Sequence, residues 1–336
     1  MDYPTGTEQF SVILRDFDQD SRLDLAAAYS SGSISVRLNK GDGSLASPSS
    51  YAAGASPLAL AAADLNEDGT IDIAAANYGS NSVSVFVGKG DGTFTAHVEF
   101  PTGAMPYGIV ARDFDLDGHI DLATANNQGN SVTLLSGKGD GTFTVKGSSG
   151  VGSTPYFLAA GDLNGDGAQD LVNPNFQGNT VSVLSGKGDG SFEKNVEYNT
   201  GVSPIGVAIA DVDGDLELDI IVANFGSAWV TVLYGKGMTF TAQVNYPTEP
   251  RSGAVEVGDL NGDGKADLVV ANHDAGTVSI LWGGTPDPFT TNHTVATGAK
   301  PRALALGDLN GDGKLDLAVG NNGSASVSVF LNASCE

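Results

Sequence analysis

The sequence predicts an all-β fold, a seven-bladed β-propeller with four strands in each blade, and three observations support it. An acidic cluster recurs seven times in the 336 residues, at intervals of 48 or 49 residues. The segments between clusters are short apolar runs bounded by Gly, Asn and Asp, as expected for strands and hairpins, and none keeps the 3.6-residue apolar period of a helix. Four short strands per unit, repeated around a ring, leave only short and protected strand edges.

The repeat units can be aligned on the first Asp of each acidic cluster. These residues are Asp16, Asp64, Asp113, Asp162, Asp211, Asp259 and Asp308. The repeats follow one another with no linker or change of composition between them. We therefore expect residues 1–336 to form a single propeller domain.

Each unit has the same internal order. Residues 105–143, MPYGIVARDFDLDGHIDLATANNQGNSVTLLSGKGDGTF, contain an apolar run, the acidic loop, a second apolar run, an Asn-Gly-rich turn, an alternating third run and a Gly-Asp-Gly turn. The first run is rich in small residues, as in ALAAAD at 59–64 and ALALGD at 303–308. Such residues fit an innermost strand that is crowded around a central channel.

The two ends of the chain predict how the ring closes. The last unit ends at SVSVFLNASCE, after its third strand, whereas the first six residues, MDYPTG, match the end of a fourth strand such as EFPTG at 99–103. We expect the N-terminal segment to complete the seventh blade.

Composition excludes several classes of protein. A formal charge of −24, from 16 basic and 40 acidic residues, would repel nucleic-acid phosphates, so cations are the expected partners. No apolar run approaches the roughly 18 residues of a membrane span. The first ten residues lack the basic and apolar segments of a secretory signal, and the single Cys335 excludes an intramolecular disulfide.

The acidic cluster DLNGDGKLDL at 308–317 has the chemistry of a cation site. Oxygen ligands at loop positions 1, 3, 5 and 9, with Gly at position 6 for a tight turn, suit a hard cation, and Ca²⁺ tolerates an irregular loop better than Mg²⁺. Two carboxylates about 4 Å apart repel by roughly 4 kcal/mol at an effective dielectric constant near 20. The alternative is a set of ordinary Asp-Gly turns, but seven such turns in phase favour the metal interpretation.

This loop differs from an EF-hand, because position 12 of the last loop is Val319 rather than Glu and strands flank it; a dockerin repeat is disfavoured for the same reason. The motif D-x-[DN]-x-D-G-x-x-D, placed in a β-hairpin and repeated seven times, resembles the FG-GAP and VCBS repeats of integrin-α-like propellers. That resemblance covers the whole chain and implies up to seven Ca²⁺ ions, one per blade.

The resemblance also implies the ligands, at positions 1, 3, 5 and 9 of each loop. They are Asp16, Asp18, Asp20 and Asp24; Asp64, Asn66, Asp68 and Asp72; Asp113, Asp115, Asp117 and Asp121; Asp162, Asn164, Asp166 and Asp170; Asp211, Asp213, Asp215 and Asp219; Asp259, Asn261, Asp263 and Asp267; Asp308, Asn310, Asp312 and Asp316. Ser21 and Leu216 replace the Gly at position 6, so we expect weaker sites in the first and fifth loops. Seven divalent ions would change the formal charge from −24 to −10.

Signals for an enzyme are weak. The sequence contains four His, no HExxH motif and no basic groove. GKGDGTF at 88–94 lacks the strand-to-helix context of a phosphate-binding loop, so a hairpin turn is the better interpretation. We predict no catalytic residues, although an active site made of single carboxylates on different blades stays open.

A binding function requires a surface that breaks the sevenfold repetition. The loops between strands 2 and 3 and the loops between blades share the face opposite the acidic hairpins, which is the ligand face of the integrin-like family. The candidate ligand-binding residues there are Tyr78, Tyr107, Tyr156, Phe176, Phe225, Trp229, His273 and Arg302. Packing between blades is the alternative role for these side chains.

The sequence is thus interpreted as a calcium-binding, non-enzymatic propeller that serves as an extracellular or cell-surface binding or adhesion module. A lectin-like function is the most specific form of this hypothesis, because some lectins resemble the repeat family, and a surface protein is another candidate ligand. The alternative function is that of a propeller-based polysaccharide lyase or hydrolase.

Overall fold

The structure is a computed structural model that describes residues 1–6, 8–284, 288–290 and 292–332. In these residues, 28 strands form seven antiparallel sheets of four strands, which confirms the predicted fold class. Cys335 lies outside the described residues. Within the described part of the chain, no helix is long and apolar enough to cross a bilayer.

Strands are numbered along the chain and blades by their first acidic loop. Blade 1 contains β2 (Gln9–Arg15), β3 (Asp24–Tyr29), β4 (Ser33–Arg37) and β5 (Ser49–Ala52), and blade 2 contains β6 (Pro57–Ala63), β7 (Asp72–Asn77), β8 (Ser82–Phe86) and β9 (Val98–Pro101). Blade 3 contains β10 (Pro106–Arg112), β11 (Asp121–Asn126), β12 (Ser131–Gly137) and β13 (Phe143–Gly150), and blade 4 contains β14 (Ala159–Gly161), β15 (Asp170–Asn175), β16 (Thr180–Leu184) and β17 (Val196–Asn199).

The remaining blades follow the same order. Blade 5 contains β18 (Pro204–Ala210), β19 (Asp219–Asn224), β20 (Trp229–Lys236) and β21 (Thr239–Pro247), and blade 6 contains β22 (Ser252–Gly258), β23 (Asp267–Asn272), β24 (Thr277–Leu281) and β25 (Asn292–Ala296). Blade 7 contains β26 (Pro301–Gly307), β27 (Asp316–Asn321), β28 (Ser326–Phe330) and β1 (Asp2–Pro4).

The first strand of each blade lies innermost, and these inner strands contact one another in blade order. Strand β2 of blade 1 contacts both β6 of blade 2 and β26 of blade 7, so the blades form a closed ring. The N-terminal strand β1 pairs with β28, with Asp2 opposite Ser328 and Pro4 opposite Ser326. Blade 7 is therefore built from both ends of the chain.

The hydrophobic core consists of seven layers, each between two neighbouring blades. The layer between blades 1 and 2, for example, contains Phe17, Ile34, Ile73 and Phe86, all at most 2% exposed. The layer between blades 7 and 1 includes Leu25 and Val327. Since every sheet packs on both of its faces, the second strands are buried along their full length.

Antiparallel connectivity separates the loops into two faces. The hairpins between strands 1 and 2 and the turns between strands 3 and 4 lie together on the hairpin face. The loops between strands 2 and 3 and those between blades lie on the opposite face, called the loop face below. The GKGDGTF segment is a turn between strands 3 and 4, closed by a bridge between Gly88 and Phe94, and Gly92 N–H donates to the carbonyl oxygen of Phe17 in the preceding blade at 3.1 Å.

Candidate functional site

Each acidic hairpin is folded by its own carboxylates. In the seventh loop, Asp308 accepts hydrogen bonds from the backbone N–H groups of Gly311 at 2.7 Å and Gly313 at 2.8 Å, and Asp312 accepts from Lys314 at 3.0 Å. These short side-chain-to-backbone bonds are those expected of Asp in tight turns.

The Asp at position 9 is the most buried member of every loop, at 0 or 1% exposure in all seven. In blade 2, Asp72 Oδ2 accepts from Leu65 N–H at 2.9 Å and its Oδ1 accepts from Gly88 N–H at 2.7 Å. The same two bonds occur in every blade. This carboxylate therefore joins the hairpin to the turn after strand 3, a structural role that the sequence motif does not reveal.

Burial makes these carboxyls weaker acids than exposed Asp side chains. Desolvation raises the pKa of Asp72 to about 6, against the lowering effect of its two backbone hydrogen bonds, and burial does the same to Asp121. Burial also raises the pKa of Asp18 at position 3 of the first loop. A divalent cation beside such groups would stabilise their charged forms.

In three of the loops, three carboxylates lie close enough together to bind one ion. Oxygens from positions 1, 3 and 9 lie within 4.8 Å of one another in each of these groups: Asp16, Asp18 and Asp24; Asp113, Asp115 and Asp121; Asp211, Asp213 and Asp219. The position-5 carboxylates lie outside these groups and accept instead from the backbone at position 7, as Asp117 does from His119 N–H at 2.9 Å. In the other four loops an Asn occupies position 3.

The third loop shows best that the residues fit a cation. The Asp115 side chain is only 7% exposed, and its Oδ2 contacts Lys146 Nζ and Ser136 Oγ, both at 3.2 Å. Asp115 Oδ1 and Asp113 Oδ1 are buried and accept no hydrogen bond from any described residue. Buried carboxylate oxygens left unpaired cost free energy, and Ca²⁺ would satisfy them.

The loop backbone has two left-handed positions, of which sequence reasoning identified one. Position 6 has positive φ in every loop, including Ser21 at 69° and Leu216 at 72°. Position 4 is left-handed as well, and it is non-glycine in the first three loops, as at Glu67. There the side chain links neighbouring loops: Glu67 contacts His119 of blade 3, an interaction that raises the pKa of the His119 imidazole.

One backbone hydrogen bond repeats on the loop face in every blade, beside side-chain bonds such as that from Ser203 N–H to Asn179 Oδ1 at 2.8 Å. In every blade, the variable residue of the loop between strands 2 and 3 donates its N–H to the carbonyl of a left-handed residue just before strand 1. Phe225 donates to Ser203 at 2.9 Å and His273 donates to Arg251 at 3.0 Å, for example. Because main-chain groups make this bond, the side chain at the variable position is free to differ.

The candidate ligand-binding residues form two groups. Blades 2 to 4 contribute a row of packed rings with centroid separations of 6.1 Å for Tyr78 and Tyr107, 4.3 Å for Tyr107 and Tyr156, and 5.0 Å for Tyr156 and Phe176. Tyr107 is 5% exposed, and burial raises the pKa of Tyr156 to about 12. Arg302 reaches this row from blade 7, donating from Nη2 to Tyr107 Oη at 2.6 Å.

The second group surrounds an open cleft of about 520 Å³ between blades 5 and 6, which includes Phe225, Trp229 and Arg251 in its lining. Arg251 lies over the Phe225 ring at 5.2 Å, and its Nε contacts Asp274 at 3.0 Å. Phe225 and His273 meet edge to face at 5.4 Å.

Trp229 also lines a second cavity of about 220 Å³, and its buried indole Nε1 has no hydrogen-bond partner in the part of the chain that the structure describes. Sequence reasoning identified Trp229, Phe225 and His273 but missed Arg251 and Asp274. Arg251 occupies the position before strand 1 that Lys300 occupies in blade 7, and that register was the available signal.

Comparison with known proteins identifies the repeats. The family profile described as FG-GAP-like repeat matches residues 16–75, 64–124, 113–173, 162–222, 213–270 and 259–319. No curated protein sequence matches the chain.

Several solved structures share the fold at low sequence identity. BBS1N in complex with ARL6DN superposes with a TM-score of 0.69 at 14% identity, covering 100% of this chain and 97% of that one. A lectin from Agrocybe aegerita that recognises non-reducing terminal N-acetylglucosamine gives 0.61 at 19% identity, covering 87% and 81%. A protein from Lactobacillus plantarum gives 0.64 at 15%, covering 96% and 95%.

Proposed function

Because this chain belongs to the family of FG-GAP-like repeat proteins, we propose that it is a calcium-binding, non-enzymatic propeller that binds carbohydrate outside the cell. The carbohydrate site is the cleft lined by Phe225, Trp229 and Arg251. The observation that carries this proposal is the open cleft of about 520 Å³, whose lining combines the Phe225 and Trp229 rings with Arg251.

The cleft has the mixed chemistry that sugar binding requires. An indole and a phenyl ring offer apolar faces for the C–H surface of a sugar ring, and the nearby charged groups of Arg251 and Asp274 offer a donor and an acceptor for hydroxyls.

The acidic hairpins supply stability in this proposal. Their carboxylates would hold Ca²⁺ with oxygen ligands alone, and the bound ion would offset the repulsion and desolvation of the clustered Asp side chains. The same chemistry supports an extracellular location, because extracellular calcium modules commonly work at dissociation constants of roughly 10⁻⁴ to 10⁻³ M.

The fold neighbours are compatible with a binding role for a propeller of this shape. The Agrocybe lectin recognises a terminal sugar and BBS1N is complexed with a protein. The Phe225 and Trp229 rings in an open cleft favour the sugar for this chain.

A glycan array probed with the wild-type protein and with Trp229→Thr tests the proposal. Thr is the appropriate replacement, because the equivalent residue is Ser or Thr in the other six blades. We expect wild type to bind a set of glycans in millimolar Ca²⁺ and the variant to lose them at unchanged melting temperature. No glycan bound by wild type, or equal binding by the variant, would reject this site.

A turnover assay on the bound glycans separates a binding module from the alternative lyase or hydrolase. We expect no shortened or unsaturated products after prolonged incubation. Product formation that Trp229→Thr also abolishes would establish an enzyme at the same cleft and contradict the non-enzymatic part of the proposal.

A further inference from the structure

The central channel contains a cavity of about 190 Å³, lined by the inner strands of the blades. Its walls are mostly apolar or small, with Ile109, Phe157 and Leu158 among the larger residues. Two lining residues carry charge, Glu256 from blade 6 and Arg302 from blade 7. The loop-face cleft proposed as the carbohydrate site does not explain either of them.

Glu256 is exceptional within its ring of equivalent positions. The other six blades place an apolar residue three positions before the first Asp of the loop: Ile13, Ala61, Val110, Ala159, Ala208 and Ala305. Glu256 lies deep in the molecule but keeps part of its surface open to the cavity, and among the described residues it makes no hydrogen bond or ion pair. Burial raises the pKa of the Glu256 carboxyl to about 7, opposed by the positive charge of Arg15.

Arg302 is the charged residue in another set of equivalent positions, which lie six residues before the first Asp of each acidic loop. Its equivalents are Phe10, Leu58, Tyr107, Tyr156, Ile205 and Gly253. The guanidinium lies 4.6 Å from the Phe10 ring centroid and donates from Nη2 to Tyr107 Oη across the channel. Its Nε is buried, whereas Nη1 is not buried and makes no hydrogen bond among the described residues, so Nη1 is the donor available at this mouth.

Glu256 and Arg302 belong to two sets of equivalent positions at different levels of the channel. They are three residues apart along strands that rise about 3.3 Å per residue, so the Cα atoms at the two levels lie ~10 Å apart along the strand direction. For size, an engineered apolar cavity of about 150 Å³ holds a benzene molecule. The cavity therefore suits a short linear molecule rather than an oligomer.

We propose that the channel binds a short linear zwitterion, with its ammonium group on Glu256 and its carboxylate on Arg302. The acceptor at depth and the donor at the mouth match such a ligand at both ends, and the small and apolar residues between them match its methylene chain. The direction also agrees with the long-range field, because the ammonium end points toward the acidic hairpin face.

Isothermal titration calorimetry of the full chain in Ca²⁺ with 6-aminohexanoate tests this proposal. We expect saturable binding, and weaker binding of hexylamine and hexanoate, which each carry one of the two charges. Glu256→Gln should weaken 6-aminohexanoate binding about tenfold or more, as expected for loss of a charge-assisted hydrogen bond. Glu193→Gln, on the surface beside Lys187, is the matched control and should bind as wild type does.

Two further variants define the outcome. Arg302→Lys keeps the charge and should retain part of the affinity, whereas Arg302→Gln should remove the preference for 6-aminohexanoate over hexylamine. Trp229→Thr should leave channel binding intact, so this test is independent of the glycan result. The proposal is overturned if wild type binds none of the three compounds, if Glu256→Gln binds as wild type does, or if hexylamine binds as tightly as 6-aminohexanoate.

Discussion

The hairpin face and the loop face of this propeller differ in the groups that hold their central loop residues. On the hairpin face, Asp side chains accept the hydrogen bonds that fold the loop, as Asp308 does from Gly311 and Gly313. On the loop face, the variable residue is held by a hydrogen bond from its backbone N–H to a backbone carbonyl, as from Phe225 to Ser203.

This difference explains why one face repeats and the other varies. Where a side chain makes the hydrogen bonds, replacing it would unfold the loop. The hairpin sequence is therefore nearly the same in seven blades. Where backbone groups make the hydrogen bond, the side chain can vary, and Ser, Tyr, Asn, Phe and His all occur at the variable position of the loop between strands 2 and 3. The loop face therefore differs from blade to blade at positions where the hairpin face repeats.

Removing calcium should produce the largest change in stability, and that change should arise at the hairpin face. If an ion at 100 times its dissociation constant occupies a loop, it adds about 2.7 kcal/mol to the free energy of unfolding, and up to seven loops contribute. Melting followed by circular dichroism in chelator and in Ca²⁺ measures the difference. Identical melting temperatures would show that the loops are ordinary Asp-Gly turns.

The second prediction separates two roles within one hairpin. Asp72→Ala leaves two buried N–H groups, of Leu65 and Gly88, without acceptors, so it should destabilise the protein by roughly 2–6 kcal/mol. Asp68→Ala in the same loop removes an exposed carboxylate and should cost less than about 1 kcal/mol in chelator. Urea unfolding in chelator makes this comparison without the ion. Equal losses would mean that position 9 acts only as a metal ligand.

The third prediction divides the loop face. Phe225→Ala should weaken glycan binding by about 1–3 kcal/mol, as expected for an anchor in a cleft. Phe176→Ala should leave binding unchanged and lower stability by about 1 kcal/mol, because its ring packs on Tyr156 at 5.0 Å. Titration and melting of both variants check this, and glycan binding lost by Phe176→Ala alone would reverse the assignment.

The sequence predicted what repeats and missed what depends on neighbours. The 48- or 49-residue period, the strand pattern and the small first strands were sufficient for the fold, because each is a local property repeated seven times. The bonds of Asp72 to Leu65 and Gly88 were hidden, since Gly88 lies 16 residues away in another turn. Arg302 reaching Tyr107 is a contact across the ring, 195 residues apart, which no motif encodes.

The last prediction, with the smallest effect, concerns backbone strain in the fifth hairpin. Leu216 has φ of 72° and is 92% exposed, so its side chain gains little from packing while its backbone occupies the left-handed region. Non-glycine residues pay roughly 1–2 kcal/mol for that conformation, and glycine adopts it freely. Leu216→Gly should therefore stabilise the folded protein by up to about 1 kcal/mol, once the greater freedom of glycine in the unfolded chain is subtracted. Gly313→Leu, at the same position of the seventh loop with φ of 81°, is the reciprocal control and should destabilise. Urea unfolding of both variants measures the two changes, and effects of the same sign would show that position 6 does not carry the strain.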